Sequence, residues 1–300
     1  MSRILYLDAS AGASGDMFVG ALIGAGADPE VIRRHVRGLG LEGLGVRVRR
    51  VERAGIAGTK FDVLDPESGR PVDEIALPGG DGGGAHGGHA HGAGRHAHAG
   101  RGQRHPHGEH EGSGHGHHHH RGLPEIRSIL GRSPLPGPVA ADALGVFELL
   151  AAAEARVHGC AVDHVHFHEV GALDAIADIV AAASAVHQLG VDEIWCSPVH
   201  VGSGTVRCAH GVLPVPAPAT AELLKGVPVY SDGTVGELCT PTGAALLRYF
   251  CRGFRPLPPM AVEAVGYGAG TKDFGIPNFL RCFVGEAPAS AVREETAAMG

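Results

Sequence analysis

The stretch VDHVHFHEVGALDAIADIV, residues 162–180, sets histidines at every second position and then two aspartates at helical spacing. If 163–168 is extended, His164, His166 and His168 share one face, because strand side chains alternate. At a rise of about 3.3 Å per residue, neighbours stand about 6.6 Å apart and the outer pair about 13 Å. An imidazole nitrogen binds a metal at about 2.0–2.1 Å, so a neighbouring pair closes on one ion and all three do so only on a bent strand. Glu169 points to the other face of a regular strand, but the turn into a helix near Gly171 can swing it inward. On that helix Asp174 and Asp178 are i, i+4 neighbours. A lone aspartate here would read as a solvated helix face. Acids that follow three histidines within an otherwise apolar run point instead to a metal site, or to a site where metal and phosphate meet.

A second histidine-bearing segment is of another kind. From Gly79 to His120 there is no Val, Ile, Leu, Met, Phe, Trp or Tyr, while glycine supplies 15 of the 42 residues and histidine 13, among them His117, His118, His119 and His120 in a row. So little apolar surface cannot offset the entropy of ordering, which predicts a disordered insertion. Neutral imidazoles suit nickel, zinc and copper, and a flexible tract captures such ions without a preformed cavity. A neutral low-complexity linker is the plainer alternative, and composition alone does not choose the metal.

Other polar residues sit at junctions. Asp8 and Asp16 bracket a Gly/Ser turn between a strand and a helix, where amides at a helix start bind anions. Ser14 is placed to cap that helix, and Asp16 also fits as a favourable first-turn acid. Thr240 and Thr242 flank Pro241 at a helix start, as caps or as phosphate contacts. His210 either ligates a metal or caps a turn. The Gly-rich turns at 11–16 and 266–270, with Lys272, are the stretches that resemble a phosphate cradle, although no GxxxxGK[ST] loop is present.

These residues need a scaffold, and the chain of 300 residues has room for one large domain or two small ones. Apolar residues make up 44 % and aromatics 5 %, so the core is built from Ala, Val, Leu and Ile. A net charge of −7 and the lack of a basic run argue against nucleic acid. No stretch reaches the roughly 20 apolar residues of a membrane span, and Asp8 interrupts any signal-peptide core, so a cytoplasmic, non-membrane protein is expected. The six cysteines lack CxxC spacing and read as small buried thiols.

Patterning predicts a strand at 3–8, helices at 14–28 and 28–38, and a hairpin from 44–54 and 58–65. Helices at 123–130 and 137–159 follow, then strand material at 193–208. The remaining expectations are a helix at 217–226, a strand at 227–231, a helix at 240–251 and two closing strands. The expected fold is α+β, or mixed α/β. Its segments are 1–78, a disordered insertion at 79–121, a main segment 122–286 packing with 1–78, and a flexible tail at 287–300.

Six motifs in order add to this reading: LYLDASAGASGDM at 5–17, HFHEVGALDAIADIV at 166–180, CSPVHVGSGTV at 196–206, HGVLPVPAPAT at 210–220, ELCTPTGAALL at 237–247 and GYGAGTKD at 266–273, with the histidine-rich insertion between the first two. Together they resemble the LarC family of nickel-insertion proteins. The resemblance implies a CTP-dependent chelatase, a metal-inserting lyase. It places nickel between the two sulfur donors of pyridinium-3,5-bisthiocarboxylic acid mononucleotide and forms a metal–carbon bond, for lactate racemase and related enzymes. Soft sulfur donors in a square plane suit Ni(II). The resemblance also implies CTP with Mg²⁺ or Mn²⁺, held in a C-terminal region of the family. Implied partners are the precursor mononucleotide, that C-terminal region and a cofactor-accepting racemase; a homo-oligomer is allowed. The rival readings are a non-catalytic nickel store or metallochaperone, and a metal-dependent phosphohydrolase built on the His/Asp cluster.

Overall fold

A computed structural model describes residues 1–75, 121–165, 167, 173–208 and 210–288. The expectations for the 79–120 insertion, for His117 to His120, for His166, His168 and Glu169, and for the tail beyond 288 lie outside the described residues.

The fold is α+β. Its first half contributes strand β1 (Ser2–Asp8), helices α1 (Gly15–Gly24) and α2 (Pro29–Arg37), strands β2 (Gly45–Arg53) and β3 (Ile56–Leu64), and a short helix α3 (Val72–Ile75). Then come α4 (Leu123–Arg132), α5 (Gly137–His158) and α6 (Leu173–Leu189). Short strands follow: β4 (Glu193–Cys196), β5 (Val199–His200), β6 (Gly202–Ser203), β7 (Thr205–Cys208) and β8 (Gly211–Pro214). The chain continues with α7 (Pro218–Leu223), β9 (Val229–Tyr230), β10 (Gly236–Glu237), α8 (Pro241–Phe250), β11 (Gly253–Phe254), β12 (Ala261–Ala269) and β13 (Phe279–Ala287).

A seven-stranded mixed sheet runs β11-β4-β1-β13-β12-β3-β2. β1 lies at its middle, parallel to β4 and antiparallel to β13, with Ile4 against Gly285 and Glu193. That position explains its sequence. Ile4, Leu5, Tyr6 and Leu7 are all buried, the continuous apolar run of a strand covered on both faces. β2 and β3 form the expected antiparallel hairpin, and β3 joins the rest of the sheet at Gly268–Thr59. β13 extends through Ala287, so the ordered sheet reaches into the segment expected to be tail.

Helix α1 is buried almost all round, between the sheet and α6, with α5 and α2 packed further out on α6. Glycines set how close it comes. A Cβ on Gly268 would run into the Met17 carbonyl, and one on Gly266 into the Ala21 carbonyl. The Gly-rich run at 266–270 is therefore no phosphate loop. Residues 266–269 are the interior of β12, bare so that a helix can lie on it. Among the described residues no helix is long and apolar enough to cross a membrane.

The extended reading of 163–168 fails at its start, and His166 and His168 lie outside the described residues. Val162–His164 is a 3-10 turn, and Val165 and Phe167 are buried, with the Phe167 ring against Phe147 of α5. Burial of both Val165 and Phe167 keeps the period of two in the H-V-H-F run at 164–167. Exposed His164 sits on this turn. Two cysteines also depart from the buried-thiol expectation: Cys160 is exposed and Cys208 half-buried.

Candidate functional site

Three helix starts converge on one cleft of about 370 Å³. The loop 9–14 lies along 237–240, with Ala13 N–H donating to the Leu238 carbonyl at 3.0 Å and Thr240 N–H to the Ala13 carbonyl at 3.0 Å. Gly12 has φ +82° and Gly243 packs on the Ala13 carbonyl, so neither position has room for a side chain. This seam holds the first turn of α1 beside the first turn of α8. The first turn of α6, carrying Asp174, forms a third wall, and the loop after β12, carrying Thr271 and Lys272, a fourth.

Of the residues singled out from sequence, Ser14, Asp16, Asp174, Asp178, Thr240, Thr242 and Lys272 all line this cleft. Ser14 stands at the cap position of α1 without capping it: its hydroxyl donates to the Asp16 carboxylate instead. Asp16 is itself held in place by a buried lysine. Thr240 does cap α8, its Oγ1 accepting from Gly243 N–H at 3.2 Å. Asp8 is not part of the cleft lining. It accepts from Ser10 N–H at 3.0 Å and pairs with Arg281. His210 lines a neighbouring cavity, and His164 lines neither.

The sequence reading missed the centre of the charge network. Lys60 on β3 is 1 % exposed, pairs with Asp16, and lies 3.5 Å from Asp73 and 4.0 Å from Asp62. Asp62, equally buried, is held in turn by Arg49 at 2.7 Å and Arg47 at 3.0 Å. Burial by itself would push the Lys60 ammonium down, but Asp16, Asp73 and Asp62 outweigh it and hold its pKa above the ordinary value. Lys60 therefore stays charged. The available signal was a lysine and an aspartate alternating inside an apolar strand, in a chain with only three lysines, two of which belong to this region.

Thr271 Oγ1 donates to Asp73 at 2.9 Å, and Asn278 Nδ2 donates to the Lys272 carbonyl at 2.9 Å, so the fourth wall is tied down at both ends. Asp73 is the acid that water reaches, with 43 % of its side chain exposed. Crowding by protein, then Asp16, raises its pKa against the pull of Lys60.

Asp174 and Asp178 are different. Each keeps part of its surface on the cleft, yet its Oδ1 is closed off from solvent and has no hydrogen-bond partner among the described residues. Burial, and then Asp73, raises Asp174 to about 6. Burial, and then Asp16 and Asp174, raises Asp178 well above the ordinary carboxylate range. Two carboxyls whose pKa burial raises hold protons that a cation can replace. Among the described residues no three His, Cys, Asp or Glu side chains are placed to hold an ion by themselves.

The family described as "Nickel insertion protein" matches residues 5–299. The chain belongs to that family. A nickel insertion protein for pyridinium-3,5-bisthiocarboxylic acid mononucleotide from Desulfitobacterium hafniense is 43 % identical over 284 residues, 95 % of this chain and 58 % of that relative. One of the same name from Geobacillus kaustophilus is 42 % identical over 285 residues, covering 95 % and 60 %. A putative nickel insertion protein from Geobacter sulfurreducens is 40 % identical over 296 residues, covering 98 % and 64 %. The chain thus spans about 60 % of the length of the curated relatives it matches. No solved structure matches the chain.

Proposed function

We propose that this chain handles nickel for insertion into pyridinium-3,5-bisthiocarboxylic acid mononucleotide, the compound named in its relatives, and that the cleft is where ion and precursor meet. The carboxyl pair Asp174 and Asp178 carries this reading. A buried carboxyl with a raised pKa and an unpartnered oxygen costs stability unless a cation takes the proton's place. Nickel, as cargo, supplies that cation.

His166, His168 and Glu169 precede α6 by a few residues in the same run of sequence. We propose them as further donors to the ion, since Glu169 stands only four residues before Leu173 and the chain spans at most about 3.6 Å per residue. The precursor's phosphate fits the opposite side. There the starts of α1 and α8 present backbone amides, with Thr242 and Lys272 beside them. Lys60, charged beneath Asp16, fixes the acid that separates the two halves. Formation of the nickel–carbon bond expels a proton from the ring carbon, and Asp73, the cleft acid that water reaches and that does not hold the ion, is placed to accept it.

Dependence on CTP with Mg²⁺ or Mn²⁺ is assigned, in this proposal, to the length of the relatives that the chain does not cover. The rejection of 266–270 as a phosphate loop supports this, because it removes the glycine-rich run beside Lys272 from the candidates. The histidine tract at 86–120 is proposed as a nickel reservoir, and a racemase as the recipient of the product. The test is mass spectrometry of precursor incubated with nickel, CTP and the chain, with and without the remaining region of a relative. Appearance of the nickel adduct with intact chain, and its loss in Asp178→Asn, is expected. Unchanged adduct in Asp178→Asn would remove the cleft from the chemistry.

A further inference from the structure

A second cavity of about 320 Å³ opens beside the first. Arg207, Glu237, Pro241 and Lys272 line both, so the two share a wall. Its far side brings together parts of the chain that are distant in sequence. His158 ends α5, with Glu154 one turn earlier, and Cys208 and His210 come from the β7–β8 hairpin. The His158 and His210 rings stand 5.0 Å apart, centroid to centroid, with planes tilted 40°. His158 Nε2 lies 3.4 Å from Glu154 Oε2.

The spacing has a chemical meaning. Two imidazoles that bind one ion through nitrogens at about 2.0–2.1 Å, near a tetrahedral angle, have centroids roughly 5 Å apart. A carboxylate beside a ligating imidazole orients the ring and raises its basicity, which is the place Glu154 occupies. Both histidines are exposed at the cavity. We infer that His158 and His210 form a second nickel site, a hand-over station from which the ion passes along the shared wall to the cleft.

The site is a weak one by construction. Among the described residues no third His, Cys, Asp or Glu is placed to complete it. An ion in transit needs such a site, favourable enough to enter and loose enough to leave. Glu237, on the wall common to both cavities, offers the next carboxylate along the path. The role as a station rests on the reading of the neighbouring cleft; the binding of the ion does not.

The experiment uses the full chain, without precursor, and nickel alone as probe. Modification of individual histidines by diethyl pyrocarbonate is followed by peptide mass spectrometry, with His187 as internal reference. Nickel at about ten times the half-protecting concentration should slow modification of His158 and His210 about tenfold, in step. His210→Asn should return His158 to its nickel-free rate, and His158→Asn should do the same for His210. No protection of either residue once the 86–120 tract is saturated would overturn the site. Continued protection of His158 in the His210→Asn chain would overturn the pairing. Asp178→Asn should leave this protection intact, so a failed cleft would appear as unchanged nickel-adduct formation and not here.

Discussion

Replacing Asp174 by Asn should make the metal-free protein more stable at neutral pH. The folded state raises this carboxyl from 3.8 to about 6, chiefly by burial. A raised carboxyl binds its proton more tightly when folded than when unfolded, so stability falls as pH rises through the window from 3.8 to about 6. Above that window the full cost is present, and below 3.8 it is absent. The difference corresponds to about 3 kcal/mol. Because the side chain keeps some surface on the cleft, about 2 kcal/mol is the expected gain on neutralising it. Asn preserves shape and removes the charge that opposes Asp73 and Asp178. The assay is urea unfolding of wild type and Asp174→Asn with chelator present, at several pH values between 4 and 8. The variant should be the more stable at pH 7.5, with the gap closing on acidification. A variant that is less stable at pH 7.5, or a gap that does not change across the window, would refute the reasoning. Nickel should reverse the order, since only wild type retains the ligand: stability given up for function.

Lys60→Met leaves Asp16 buried without its cation, while Asp62 keeps Arg49 and Arg47, and urea unfolding should show a loss of about 3–5 kcal/mol. Gly268→Ala forces a methyl into the Met17 carbonyl and should cost at least about 1–3 kcal/mol, seen as a lowered Tm. Arg49→Ala tests Asp62, whose pKa burial would raise but Arg49, Lys60 and Arg47 hold below 3.8. That stabilisation is present above 3.8 and lost as pH falls through the lowered value, so the gap between wild type and variant should be widest near neutral pH and shrink in acid. The histidine tract should take up several nickel ions weakly and release them when acidified below about 6.5, which calorimetry at pH 7.5 and pH 5 checks.

Much of the scaffold was readable because each element carries one dominant signal. The apolar run of β1, the capped and proline-led α2 and the alternating hairpin leave little choice of structure. Asp174 and Asp178 were readable as a pair because helical spacing alone puts them on one face. Glycine left 266–270 with two readings, part of a closing strand, which β12 bears out, or a phosphate turn, since glycine serves loops and close helix–strand packing alike. At 162–164 the alternation gave no sign of the 3-10 turn, while the buried Val165 and Phe167 keep the period of two that the sequence carries. Lys60, Asp62 and Asp73 were invisible for another reason. Their meaning comes from partners on α1 and the hairpin strands, and no local pattern encodes which buried charge will meet which.

The central claim is that nickel and the precursor mononucleotide meet between the starts of α1, α6 and α8. The most direct test is the nickel content of the chain after gel filtration with precursor, comparing wild type with the Asp174→Asn, Asp178→Asn double variant. The two chains carry the same histidine tract and the same His158–His210 pair, so any difference belongs to the cleft. Wild type should retain precursor together with one more nickel ion per chain than the double variant. Equal nickel and equal precursor in the two chains would contradict the account.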